Sequence, residues 1–215
     1  MRLFAFLAAL PFVALAQAPA PASRTYDVPK LHGIAIDGDA GDWGKNGFCV
    51  DLVTSVDGNA LAPSDFDPAF RIGWDGRGLL LLVTVVDDSF TENKDENAYQ
   101  QNDSVEILAS PSLGAEDLIH IAIAPGMTAD MPDAKYKIFD WRKGEPRDPA
   151  TVEVARAKTA GGYTMEILLP WKDLAIEPKR GLETALQVHI NDADGDIPVF
   201  RAAWFPFTPA SGRNL

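Results

Sequence analysis

Phe70 to Asp88 reads FRIGWDGRGLLLLVTVVDD, and its pattern decides the fold. Phe70, Ile72 and Trp74 alternate with smaller or charged residues at the period of two that a half-buried strand requires. Asp75-Gly76-Arg77-Gly78 then reads as a tight hairpin, its glycines suited to positive φ, and the near-continuous apolar run Leu79 to Val86 follows as the return strand. The same grammar recurs along the chain: short apolar or alternating runs, closed every ten or so residues by Gly, Pro, Asn or Asp, with almost no helical periodicity. It predicts strands over Ile34–Asp37, Phe48–Val53, Ala69–Trp74, Leu79–Asp87, Ser104–Ala109, Asp117–Ala124, Lys135–Phe139, Thr151–Lys158, Tyr163–Leu169, Thr184–Asn191 and Val199–Phe205. Ala160-Gly161-Gly162 predicts a second tight hairpin, and Pro170–Leu174 a helical turn with Pro at its start. So many strands with so little helix imply an all-β chain, an antiparallel β-sandwich of jelly-roll or immunoglobulin-like character.

The opening residues are of another kind. Met1-Arg2 is a short cationic start, Leu3–Val13 is apolar, and Ala14-Leu15-Ala16 fits a small-residue cleavage site, so residues 1–16 are expected to be a removable signal peptide. The apolar run contains Pro11 and is short for a bilayer, which places the protein as secreted or periplasmic, without membrane insertion. Residues 17–30 read as a flexible Ala/Pro-rich leader, and residues 31–215 as one domain with a full core. The single cysteine, Cys49, has no internal disulfide partner and is expected to be a buried bystander thiol. A net charge of −12 argues against nucleic acid and anionic membranes as partners and favours a neutral ligand or a cation.

Chemistry concentrates in Asn93–Ile107, NKDENAYQQNDSVEI, an oxygen-rich loop running into a strand. Alternation turns Val105, Ile107 and Ala109 one way and Ser104, Glu106 and Leu108 the other; likewise Ile119, Ile121 and Ile123 oppose His120, and Val188 and Ile190 oppose Gln187, His189 and Asn191. If these strands share a sheet, one face gathers Glu106, His120, Gln187, His189 and Asn191 into a polar binding floor. Hard oxygen donors also suit calcium: Asn93, Asp95, Glu96 and Asn97, backed by Asp87 and Asp88, form one candidate site. The run Asp192-x-Asp194-x-Asp196 forms another, although Ile197 and Ala203 at its sixth and twelfth positions rule out an EF-hand. No close His or Cys spacing supports zinc.

The segments IAIDGDAGDW, FRIGWDGRGLLLLVTVVDD, NDSVEIL, GGYTMEILLPW and INDADGD, in this order, resemble the carbohydrate-binding module family 9 domain from Ile34 to Trp204. The resemblance implies a calcium-containing sandwich of the DOMON-like type, often attached to or encoded near glycoside hydrolases. It also implies a sugar held between two tryptophans with help from a glutamate. That glutamate matches Glu106. One sandwiching tryptophan is replaced by Gln100, with Tyr99 as the neighbouring ring; the other lies in a loop that is shortened here to Phe205-Pro206-Phe207-Thr208-Pro209. His189 and Asn191 match polar ligands, and His120 falls near a basic one.

Of the tryptophans, Trp43, Trp74, Trp171 and Trp204 fit core packing, whereas Trp141 at a strand end could project as a stacking platform. The sequence reading is thus a non-catalytic carbohydrate-binding protein whose site comprises Glu106, Tyr99, Gln100, Trp141, His120, His189 and Asn191. Glycoside hydrolysis needs two carboxylates across a cleft, but among 31 acidic residues some pair always qualifies, so hydrolysis is assigned to a partner enzyme. Two alternatives remain: a DOMON-like haem-binding redox module using Met127, Met131 or Met165 with His120 or His189, and a purely structural or adhesive role.

Overall fold

The computed structural model describes residues 25–50, 54–55, 61–92, 94–95, 98–112, 118–140, 144–147, 151–195 and 199–205. Two antiparallel sheets face one another. The first has five strands in the order β1-β3-β4-β10-β9: β1 (Phe48–Val50), β3 (Phe66–Trp74), β4 (Gly78–Asp87), β9 (Glu153–Thr159) and β10 (Gly162–Pro170). The second has seven in the order β2-β12-β11-β5-β6-β7-β8: β2 (Thr54–Ser55), β5 (Ser104–Ser110), β6 (Ile119–Ala124), β7 (Lys135–Asp140), β8 (Glu145–Arg147), β11 (Ala185–Asp192) and β12 (Phe200–Ala203). A single helical turn, α1 (Trp171–Leu174), follows β10.

Alternation places the core where the pattern requires it. Phe70, Ile72, Leu79, Leu81, Val83, Val85, Met165, Ile167 and Leu169 from the first sheet meet Val105, Ile107, Ile119, Ile121, Ile123, Ile138, Val188 and Ile190 from the second. Trp74, Trp171 and Trp204 pack partly buried against this core, and Trp43 is wholly buried outside it. The two hairpins use glycine differently. Gly162 has φ +143°, as a tight turn demands, whereas Gly76 and Gly78 do not have positive φ. In the first hairpin Asp75 closes the turn by accepting from the backbone N–H of Arg77 at 2.7 Å. Gly78 is required there by crowding, since a Cβ would stand 2.1 Å from the Leu169 carbonyl oxygen.

Ile34–Asp37 forms no strand. The segment lies across the outer face of the five-stranded sheet, where Leu31, Ile34 and Trp43 pack with Leu80, Leu82 and Leu168. This explains why β4 is apolar on both sides: odd positions feed the inter-sheet core and Leu80 and Leu82 feed this second layer. Glu166 secures the layer, accepting from the Trp43 indole at 2.8 Å and from the backbone N–H groups of Gly38 at 2.7 Å and Asp37 at 3.2 Å. Side-chain acceptors thus satisfy this segment's amides where a neighbouring strand was expected. Cys49, paired with Arg71 on the same outer face, is exposed and not buried, because β1 is an edge strand. The strand β8 lies outside the strands expected from the sequence pattern.

Candidate functional site

β11, β5 and β6 are neighbours, so the polar positions of three sequence-distant strands meet on the outer face of the seven-stranded sheet. Glu106 pairs across to His189 on one side and Ala122 on the other; Leu108 lies between Gln187 and His120, and Asn191 between Ser104 and Arg201. Glu106, His120, Gln187, His189 and Asn191 therefore share one face, with Arg201 added from β12. Arg201 belongs to no motif in the sequence, although the same alternation within Val199–Phe205 turns it outward from Phe200 and Ala202.

Glu106 is 3% exposed, and its oxygens are committed. Oε2 lies 2.7 Å from His120 Nε2; Oε1 accepts from Asn191 Nδ2 at 2.8 Å and from Arg201 Nη2 at 2.9 Å. Arg201 Nε donates to Asn191 Oδ1 at 2.7 Å, and Asn191 also donates to Ser104 Oγ at 2.9 Å. Burial pushes the Glu106 carboxyl upward, but the His120 hydrogen bond, the Arg201 charge and the Asn191 amide outweigh it and bring it to about 2. The carboxylate is thus a fixed anion holding two basic side chains whose outer edges reach solvent, His120 at 22% and Arg201 at 35% side-chain exposure. His189 differs. It is 6% exposed, neither ring nitrogen has a partner among the described residues, and burial lowers its pKa to about 4, so it stands neutral.

The aromatic companions fit less simply. Tyr99 sits in a one-turn 3-10 segment, Tyr99–Gln101, and is only 6% exposed because its ring packs on Ala122, Ala124 and Met131. It is not the uncovered ring that stacking on Tyr99 would need, although it lines a shallow recess of about 170 Å³ with Lys94, Asp130, Met131, Asp133 and Lys135. Gln100 belongs to the same turn. Trp141 lies outside the described residues, as do Phe207 and the prolines around it. Gln187 ties the end of β12 to this face: its Nε2 donates to the Phe205 carbonyl at 3.0 Å and its Oε1 accepts from the Phe205 N–H at 3.1 Å. The methionines considered for haem divide across the sheet: Met127 and Met165 enter the inter-sheet core, opposite the face of His120 and His189.

A second constellation lies where β4 and β11 end and β5 begins. Asp87, Asp103 and Asp192 are buried with carboxylate oxygens within 4.8 Å of one another, and Asp65, Asp88 and Asp194 form a more exposed set of the same spacing. The two acidic stretches read separately in the sequence therefore converge, joined by Asp103 and Asp65. Asp95 is exposed and in neither set; Asn93, Glu96, Asn97 and Asp196 lie outside the described residues. Burial and mutual repulsion push Asp87 to about 6, Asp192 to about 7 and Asp103 to about 8. Backbone N–H groups of Thr91 and Ala193 reach Asp103 at 2.6 and 2.8 Å. The set is all-oxygen, the donor chemistry of a hard cation.

The family model described as carbohydrate family 9 binding domain-like matches residues 36–211. Among solved structures the chain is similar to a carbohydrate binding module family 9 protein from Caldicellulosiruptor kristjanssonii in complex with cellotriose, at 18% identity and TM-score 0.62, with 82% of each chain covered. The same module in complex with glucose gives 18% identity and TM-score 0.62, covering 82% of this chain and 84% of that one. A putative carbohydrate-binding protein from Bacteroides uniformis gives 15% identity and TM-score 0.59, covering 84% and 88%. No curated protein matches the chain. Among the described residues no helix is long and apolar enough to cross a membrane.

Proposed function

We propose, from the premise that this chain belongs to the carbohydrate family 9 binding domain-like family, that it is a non-catalytic carbohydrate-binding protein whose site is the outer face of the seven-stranded sheet. The observation that carries the reading is the Glu106 network beside an unpartnered His189. A buried anion presents His120 and Arg201 in fixed positions, and buried polar nitrogens without partners are what a hydroxylated ligand satisfies. The neighbours in complex with glucose and cellotriose support a saccharide as that ligand. The packed ring of Tyr99 offers no stacking surface, which leaves Trp141 as the candidate for that role.

Calcium bound by Asp87, Asp103 and Asp192 belongs to the same reading. The ion would neutralise three carboxylates that otherwise repel one another, tying the ends of β4, β5 and β11. The N-terminal signal pattern supports a secreted or periplasmic location, and the resemblance to modules often attached to or encoded near glycoside hydrolases supports an accessory role beside such an enzyme.

Titration calorimetry of the full chain with mono- and oligosaccharides, with and without a chelator, tests both parts. Saccharide binding that Glu106→Gln weakens, in a variant that melts cooperatively, is the expected result. Wild-type protein that takes up no saccharide in the presence of calcium overturns the reading.

A further inference from the structure

If the outer face of the seven-stranded sheet is the saccharide site, its unused hydrogen-bonding groups define the kind of saccharide. Strand register fixes which side chains stand on this face. From β12 to β7 the titratable ones among the described residues are Arg201, His189, Glu106, His120, Lys135 and Lys137; with His189 neutral, Glu106 is the one acid there beside Arg201, His120, Lys135 and Lys137. Asp130 and Asp133 stand at the rim with Lys94, around the recess beside Tyr99. In a chain of net charge −12 such a basic surface runs against the overall balance.

The lone acid offers little to a ligand. Both Glu106 oxygens are taken by His120, Asn191 and Arg201, and its side chain is 4% exposed. Asn191 is equally committed, with its oxygen on Arg201 and its amide on Glu106 and Ser104. Arg201 has committed only Nε and one hydrogen of Nη2 among the described residues. One N–H of Nη1 and the second N–H of Nη2 remain as a fork of parallel donors, the geometry that receives a carboxylate bidentately. The two nitrogens of neutral His189 supply one donor and one acceptor, which suits a hydroxyl.

We propose that this face takes a saccharide bearing a carboxylate, a uronic acid residue, with the Arg201 fork on the carboxylate and His189 on a ring hydroxyl. A neutral sugar leaves the exposed guanidinium edge without a counter-charge, whereas a uronate supplies one through charge-assisted bonds. The remaining acidic surface acts through solvent and is screened beyond about 8 Å at physiological ionic strength, so the local basic groups govern a short uronate.

The test is calorimetry of the calcium-loaded chain with glucuronic and galacturonic acids, their methyl esters and the parent hexoses. One free acid is expected to bind about tenfold tighter than its ester and hexose, with the margin shrinking in high salt. Arg201→Gln, with folding checked by thermal melting, is expected to bring the acid-to-ester ratio close to one. Arg201→Lys, which keeps charge without the fork, is expected to retain part of the ratio. Hexoses that bind as tightly as the acids overturn the uronate assignment while the carbohydrate reading stands. No uptake of any of these sugars, nor of oligosaccharides, overturns both.

Discussion

Each sheet buries one glutamate on its outer face, and the two are solvated almost equally little: Glu166 is 1% exposed and Glu106 3%. Burial therefore does not tell them apart; their donors do. Glu166 accepts from two backbone amides and the Trp43 indole, all belonging to a segment that closes over the sheet. Glu106 accepts from His120, Asn191 and Arg201, side chains of three other strands, two of which keep an edge in solvent. One anion staples a lid of chain; the other holds out polar groups. A buried carboxylate is structural when its donors end in backbone, and a candidate for recognition when they end at the surface.

The sharpest way to break this contrast is Glu166→Ala, which strands the indole and both amides. It is expected to cost about 3 to 5 kcal/mol in denaturant unfolding, as for losing several hydrogen bonds to a charged group, while the folded fraction keeps its saccharide affinity. Equal losses of stability and affinity would erase the distinction.

Chelation comes next, because the proposed calcium site lies where the two sheets meet. A ligand at a hundred times its Kd contributes about 2.7 kcal/mol, so the melting temperature is expected to fall in chelator. The fall has a pH signature. Asp87, Asp192 and Asp103 are raised to about 6, 7 and 8, so the metal-free fold binds protons more tightly than the unfolded chain. Their contribution is present at low pH and lost as pH rises through about 6 to 8. Metal-free protein should then melt lower at pH 8 than at pH 5, and calcium should remove the difference.

Glu106→Gln is expected to cost about 1 to 3 kcal/mol in saccharide affinity, because Arg201 loses its counter-charge and is freed from its position. The smallest effect belongs to His189. Its pKa is lowered to about 4 by burial, so its contribution to stability is present above its ordinary value and is lost as pH falls from there through about 4. His189→Gln should flatten that acid limb of the melting curve, and bound saccharide should shift it.

Period-two alternation and turn residues made the sandwich legible, and alternation set Glu106, His120, Gln187, His189 and Asn191 on one face on the condition, met in the fold, that their strands share a sheet. Two things escaped for the same physical reason. The sealing of Glu106 depends on donors that arrive from β6, β11 and β12, separated by up to 95 residues or so in sequence, and no local pattern records which strands become neighbours. Likewise Asp87 and Asp192 read as parts of two separate candidate calcium sites, because only the fold brings their carboxylates together across Asp103. The missing strand at Ile34–Asp37 shows the converse: its apolar alternation was real, but it serves packing on Leu80 and Leu82, not pairing.

Cys49 stands alone in its type, exposed on the edge strand of the five-stranded sheet, and points away from the sheet that carries Glu106. The full sandwich thickness separates the two surfaces. A maleimide support coupled through that sulfur would therefore immobilise every molecule in one orientation, with the Glu106 surface turned toward the flowing solution.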